Sequence, residues 1–133
     1  MQTTARKNID VYTQVNKYSG VTDASPHRLV EMLLEGALEK LAKAKYFLKR
    51  GELVTKGETI GQAIAIIGGL QSGLNIDAGG ELAENLDRLY DYMARRLLQA
   101  NMENDENIID EVSSLLKEIK TGWDAIPAEI RNK

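Results

Sequence analysis

The chain has 133 residues, 43% of them hydrophobic, which is enough for one domain of ordinary size to bury a core. Its formal net charge of −3 argues against a nucleic-acid surface, because phosphate binding requires clustered positive charge. It contains no cysteine, which excludes disulfides, thiolate zinc sites and cysteine nucleophiles.

The N-terminal segment, residues 1–24, lacks the continuous apolar core of a signal peptide. No apolar run in the chain approaches the ~18 residues of a membrane span, so we expect a cytoplasmic protein without membrane insertion. Ile9, Tyr12 and Val15 recur at helical spacing with little else to bury, so this segment should form structure only when docked. We expect it to fold back as a cap.

The first main helix begins where Ser25 offers an N-cap oxygen and Pro26 suits the first helical position. It is predicted to run to about Arg50, where Gly51 ends it. Three further helices follow, with these predicted bounds: Val54 to Ile76; the residue after Gly79-Gly80 to about Asn101; and a fourth capped by Asn104 or Asp105 that ends at Gly122 or Trp123.

Short connections between four helices favour antiparallel neighbours, so we predict an all-α, up-down four-helix bundle over residues 25–123, followed by a tail at 124–133. An open helical array fits the short joints less well. The first helix carries a seam and a second strip beside it: Val30, Leu34, Ala37, Leu41, Ala44 and Leu48, then Leu29, Leu33, Gly36 and Phe47. This width indicates burial by both adjacent helices or a groove that awaits a partner.

The second helix has an ordinary apolar stripe but is unusual because four glycines interrupt the helix: Gly61, Gly68, Gly69 and Gly73. Each glycine costs about 1 kcal/mol relative to alanine, so packing must offset roughly 4 kcal/mol. Gly69 and Gly73 lie beside Ile66 on the helical wheel, away from the core stripe. This pattern indicates either close approach of a neighbouring helix or a docking trough for a foreign apolar segment.

The third helix has one crowded apolar face, and charged residues lie opposite it. Asn85 and Tyr92 lie on the flank of that face, where they can reach a neighbour along the helix edge. The predicted apolar stripe consists of Leu82, Leu86, Leu89, Tyr90, Met93, Leu97 and Ala100.

Catalytic machinery is not expected. His27, the single histidine, lies in the first turn of a helix and should face solvent, and Gly79-Gly80 lacks the strand and lysine of a phosphate loop. No histidine is spaced with the carboxylates to build a metal site within the bundle. We therefore expect no enzyme activity and no cofactor. The first helix also carries a cluster of basic residues, which we interpret as a solvent-exposed face of the helix: Lys40, Lys43, Lys45, Lys49 and Arg50.

Two stretches of the chain carry distinctive motifs. The first is a GGE turn followed by NL, LYDYM, a leucine and AN, spanning Gly79 to Asn101. The second begins at Tyr12 and continues through Ala24-Ser25-Pro26 to Leu29, Met32, Leu33, Gly36 and Ala37. Together these motifs resemble the FliS family of flagellar export chaperones, although Leu34 and Glu35 replace the tyrosine and aspartate that the family pattern has before Gly36.

The resemblance extends to Trp123 and implies a cytosolic chaperone that holds the C-terminal segment of newly made flagellin and prevents premature polymerisation. It allows further contacts with the export gate and regulatory factors. A monomer or weak homodimer is expected, and a homodimeric scaffold without a flagellin client is the alternative.

A client helix would lie in a hydrophobic groove. As a hypothesis, the groove combines residues of the second and third helices: Ile66, Leu70, Gly73 and Leu74, with Asn85, Leu89, Tyr92 and Arg96. Asn85 and Arg96 would supply polar anchors. The N-terminal segment, through Ile9, Tyr12 and Val15, would cover exposed apolar surface until the client displaces it.

Overall fold

A computed structural model describes residues 25–127, which form four α-helices and contain no strand. The first helix packs against the second and the fourth, and the third also packs against the second and the fourth, so the helices stand at the corners of a square. The predicted all-α four-helix bundle is confirmed. Its helices are α1 (Pro26–Lys49), α2 (Leu53–Ser72), α3 (Ile76–Glu103) and α4 (Glu106–Asp124).

The predicted N-terminal cap, with Ile9, Tyr12 and Val15, lies outside the described residues, as do residues 128–133 of the tail.

The start of α1 is set as the sequence predicts. The Ser25 side chain accepts a hydrogen bond from the Arg28 amide at 3.1 Å, and Pro26 occupies the first turn. Gly51, directly after the C-cap residue Arg50, has φ 74°, which a residue without a side chain adopts freely. Local capping chemistry therefore fixes both ends of this helix.

The connection between α2 and α3 lies earlier than predicted. Helix α2 ends at Ser72 instead of Ile76, because Asn75 caps α3 by accepting a hydrogen bond from the Ala78 amide at 3.1 Å. The diglycine falls inside α3 as a break, where Gly80 has φ 56° and ψ −134°. A Cβ on Gly79 would stand 2.7 Å from the Ala83 Cβ, so a side chain there requires a shift. At Gly80 there is space for a Cβ, but the positive φ strains any residue other than glycine.

The core follows the predicted seam of α1. Leu34, Ala37, Leu41 and Ala44 are fully buried, and so is Leu33 from the second strip. The other helices contribute these core residues: Ile60, Ala63, Ile67, Leu70, Tyr90, Met93, Leu97, Ala100, Ile108, Ile109, Val112 and Leu116. Residues from both strips of α1 are therefore buried in the core, and α1 packs against both of its neighbours.

Two expectations about burial are wrong. Leu82 was expected in the apolar stripe of α3 but is 69% exposed, because the turn after the Gly80 break directs Ala83 toward the core instead. His27 was expected to face solvent but is 4% exposed, because Trp123 of α4 stacks on its ring. Both errors arise from contacts that helical periodicity does not encode.

Lys56 is a buried charge that ties the start of α2 to the end of α3. Its side chain is 3% exposed, and its Nζ donates to the Asn101 carbonyl at 2.9 Å, the Asn101 Oδ1 at 2.6 Å and the Asn104 Oδ1 at 2.7 Å. Asn104 itself is the left-handed C-cap of α3, with φ 54°. Burial lowers the pKa of Lys56, and three oxygen acceptors compensate the charge that remains.

Replacing Lys56 with methionine should lower the free energy of unfolding by about 2 kcal/mol, because three oxygen acceptors at the end of α3 lose their charged donor. Urea denaturation followed by circular dichroism measures this loss. The matched control is Lys43→Met on α1, whose side chain is 53% exposed and which should change stability by no more than about 0.5 kcal/mol. Equal effects of both substitutions would contradict a structural role for the Lys56 bonds.

Candidate functional site

The edge between α3 and α4 carries a polar clamp built around Glu111. The Tyr92 hydroxyl donates to one carboxylate oxygen of Glu111 at 2.6 Å, and the Arg96 Nε donates to the other at 2.9 Å. Tyr92 and Arg96 are four residues apart and therefore project from the same side of α3. A single carboxylate of α4 thus fixes two of the predicted site residues.

Hydrogen bonding within this clamp shifts the pKa of each of its three groups. The bond from Tyr92, followed by that from Arg96, lowers the pKa of Glu111. The same bond raises the pKa of Tyr92, because the carboxylate stabilises the protonated phenol. At neutral pH the clamp consists of an ionised carboxylate, a neutral phenol and a charged guanidinium.

The polar network continues along α3 toward its C-terminal end. The Arg96 Nη1 donates to the Gln99 Oε1 at 2.8 Å, and the Gln99 Nε2 donates to the Glu103 Oε2 at 2.9 Å. Gln99 and Glu103 are exposed and Arg96 is half-buried, so this network lies at the surface. The arrangement orients hydrogen-bond donors, which suits recognition of a polypeptide.

The same α3–α4 edge is apolar toward the start of α3. Leu89 and Leu115 are half-buried and pack against the core, and exposed Leu82 lies seven residues before Leu89 on the same face. A Cβ placed on Gly122 would meet nothing within 4 Å, so the α4 side of this edge has open space. An apolar stretch therefore adjoins the polar clamp.

The predicted residues of α2 do not face this edge. The Ile66 Cδ1 lies 3.6 Å from the position that a Cβ on Gly36 would occupy, so Ile66 points along the α1–α2 edge. Leu70 is buried in the core, Leu74 packs partly against it, and Gly73 is the exposed C-cap of α2. These four residues thus lie along α2 and at the end of the bundle.

The eight proposed groove residues consequently fall on two regions of the surface. Gln71 of α2 bonds to the Asp87 Oδ1 at 3.0 Å, on the flank of α3 opposite Tyr92, so α2 and the Glu111 clamp lie on different sides of α3. Asn85 is exposed and accepts a hydrogen bond from Arg88. The structure brings Leu89, Tyr92 and Arg96 together on the α3–α4 edge and separates them from Ile66.

Some glycines of α2 lie against a neighbouring helix, and others lie on open surface. A Cβ on Gly57 would lie 3.4 Å from the Asn101 Oδ1, whereas one on Gly61 or Gly68 would meet nothing within 4 Å. Close helix approach therefore does not explain these last two glycines. In addition, α2 and α3 expose large apolar side chains: Leu53 and Val54 of α2, and Leu98 and Met102 of α3.

Sequence reasoning missed Glu111, although Tyr92 and Arg96 were both singled out. Glu111 lies four residues before Leu115 and therefore on the same side of α4, but this spacing does not indicate which side chains of α3 it meets. Within residues 25–127 no group of three potential metal ligands is found. No helix in the part of the chain that the structure describes is long and apolar enough to cross a membrane.

Comparison with known proteins gives consistent matches over most of the chain. The model of a family named "Flagellar protein FliS" matches residues 8–130. A flagellar secretion chaperone FliSB of Pseudomonas aeruginosa is 52% identical over 122 residues, covering 92% of this chain and 97% of that protein. The flagellar secretion chaperone FliS of Salmonella typhimurium is 51% identical over 119 residues, with 89% and 88% covered, and that of Bacillus subtilis is 32% identical over 123 residues, with 92% and 90% covered.

Glu111→Gln should lower the pKa of Tyr92, because the amide loses the negative charge that disfavours the phenolate. The measurement is a pH titration of tyrosine ring carbons by NMR, with Tyr92→Phe identifying the resonance. Glu118→Gln, an exposed change on the same helix, is the control and should leave Tyr92 unchanged. An unaltered Tyr92 titration in Glu111→Gln would show that the clamp is not formed in solution.

Proposed function

The chain belongs to the FliS family of flagellar secretion chaperones, and on this premise we propose that it binds newly made flagellin in the bacterial cytoplasm and delivers it for export. Holding the C-terminal segment of flagellin would keep filaments from forming before secretion. The observation that carries the proposal is the α3–α4 edge, where half-buried leucines adjoin a preorganised polar clamp. Capture of this kind requires affinity and no catalytic step.

The client chemistry that fits this edge is an amphipathic segment. Its apolar side chains would cover Leu82 and Leu89, and its backbone carbonyls would accept hydrogen bonds near Arg96. Glu111 already compensates the charge of Arg96. The clamp would therefore recognise a client through the orientation of its hydrogen-bonding groups more than through net charge. Binding along this edge is helix-in-groove recognition in which Tyr92 contributes apolar area and a polar end.

A long client segment would reach both groups of candidate residues. We place its second contact at the α1–α2 edge and at the bundle end where α2 joins α3, since Gly73 and Leu74 lie there. A chain that passes over this end connects the two regions without entering the core. The full set of proposed contacts remains Ile66, Leu70, Gly73 and Leu74, with Asn85, Leu89, Tyr92 and Arg96, and Leu70 contributes as the buried floor.

Self-association is the second candidate, and one observation favours it. Leu98 and Met102, at 55% and 82% exposure, lie away from the proposed client residues of α3 and offer apolar area to a second copy. A homodimeric scaffold of this type would persist at the same concentration whether or not flagellin is supplied. Light scattering with and without flagellin separates the two candidates.

Leu82→Asp should weaken flagellin binding at least about tenfold, because it places a charge in the apolar stretch of the α3–α4 edge. Isothermal titration calorimetry with intact flagellin, and with flagellin that lacks its C-terminal segment, measures the effect; only the intact protein should bind tightly. Leu98→Asp is the matched control, since it changes another exposed leucine on a different side of α3.

Two results would contradict this proposal in different ways. Absence of binding to intact flagellin would remove flagellin as the client. If Leu98→Asp weakens binding and Leu82→Asp leaves it unchanged, flagellin is still the client. Its contact surface then lies on the other side of α3.

We further propose that residues 1–24, through Ile9, Tyr12 and Val15, cover apolar surface of the bundle until the client displaces them. Weak autonomous helicity of this segment supports a docked and releasable state. Hydrogen exchange should therefore show that amides of residues 5–18 lose protection when flagellin binds, while the buried stretch of α4, residues 108–116, keeps it. Unchanged protection of the N-terminal amides in the saturated complex would refute displacement.

A further inference from the structure

The outer face of α2 carries mostly small side chains at the spacing of a coiled-coil seam. No residue of α2 from Thr59 to Ser72 is charged. A Cβ placed on Gly61 or Gly68 would meet nothing within 4 Å, so the backbone of α2 is accessible from outside at these positions. The seam recurs every three or four residues, opposite the core residues of this helix: Val54, Glu58, Gly61, Ala65, Gly68 and Ser72.

The neighbouring face of α3 carries the large side chains that α2 lacks. Leu98 and Met102 are 55% and 82% exposed, and Arg95, whose side chain is 70% exposed, lies on the same stripe. Large side chains therefore project beside a face whose backbone is accessible. Two adjacent helices of this kind form a surface with both projections and recesses, as a self-complementary contact requires.

The level of these side chains along the bundle follows from a contact between α2 and α3. A Cβ on Gly57 would lie 3.4 Å from the Asn101 Oδ1. The short connection makes the two helices antiparallel, so Gly61, four residues after Gly57, lies level with Leu98, three residues before Asn101. A second copy that is turned by 180° about an axis parallel to the helices keeps these levels. It places Leu98 of each copy opposite Gly61 of the other.

The charges on this surface are complementary in the same arrangement. Glu58 is exposed and forms no ion pair within residues 25–127. Arg95 lies 3.7 Å from the Asp91 carboxylate, beyond hydrogen-bonding distance. Glu58 and Arg95 are each within one helical turn of the level that Gly61 and Leu98 share, so their long side chains can meet across a contact between two copies.

We propose that the α2–α3 face joins two copies of this chain in an isologous dimer. Leu98 of each copy packs on the backbone at Gly61 of the other, and Arg95 of each copy pairs with Glu58 of the other. The 20 residues of α2 span about 30 Å, and together with α3 they form a face roughly 20 Å wide. This area is on the order of the 800 Å² per partner that a specific interface buries. The α3–α4 edge stays uncovered, so self-association is compatible with client capture.

Gly61→Leu tests the packing without disturbing the fold. The new side chain has open space within one copy but occupies the position of Leu98 from the other. Sedimentation velocity of the full chain over a range of protein concentrations measures the dissociation constant of the dimer, which should rise at least about tenfold. The thermal unfolding midpoint should not fall, because leucine favours a helix more than glycine does. Gly122→Leu, at an open glycine of α4, is the matched control and should leave the dissociation constant unchanged.

Charge reversal tests the pairing across the interface. Glu58→Arg and Arg95→Glu should each raise the dissociation constant about threefold or more, because like charges then meet. A chain that carries both changes should return to within about twofold of the original value, since opposite charges meet again. The proposal is overturned if the protein stays monomeric at every concentration, if Gly61→Leu leaves the dimer intact, or if the double reversal does not restore it. No flagellin is present, so the outcome is independent of the client.

Discussion

Burial of the two apolar strips of α1 is the constraint on which the rest of the bundle depends. Leu33 and Leu34 are fully buried on adjacent strips, and Ala37 and Ala44 keep the backbone of α1 close to its neighbours. Each buried leucine contributes about 2 kcal/mol from area removed from water. Because α1 packs against both α2 and α4, its two apolar strips are covered within the bundle, and the α3–α4 edge with half-buried Leu89 and Leu115 is the surface that we propose for a partner.

Stability and recognition rest on different interactions in this molecule. The Glu111 clamp is partly exposed to solvent, and ion pairs of that kind contribute at most about 1 kcal/mol. In the client site that we propose, Glu111 already holds Tyr92 and Arg96, so these side chains would lose less freedom when a client binds. A chaperone must release what it captures, and a fixed but weakly stabilising polar site would permit both steps.

Local signals in the sequence predicted the fold, whereas contacts between distant residues determined the site. Ser25, Pro26 and Gly51 predicted the limits of α1 because capping depends on adjacent residues. Periodicity found the core but could not reveal that Trp123 covers His27, or that Glu111 joins the flank of α3, since these pairs are far apart in sequence. The helical wheel identifies Asn85 and Tyr92 as flank residues of α3, but it could not indicate that Ile66 points to a different edge.

Gly79 and Gly80 at the start of α3 are exposed, yet substitutions there should be tolerated as poorly as substitutions in the core. Gly79 lacks space for a methyl group beside Ala83, and Gly80 adopts a backbone conformation that other residues enter with strain. Both residues are nevertheless open to solvent. Evolutionary drift and protein engineering therefore have little freedom here, and a library that varies exposed residues indiscriminately would lose folded members at these two positions first.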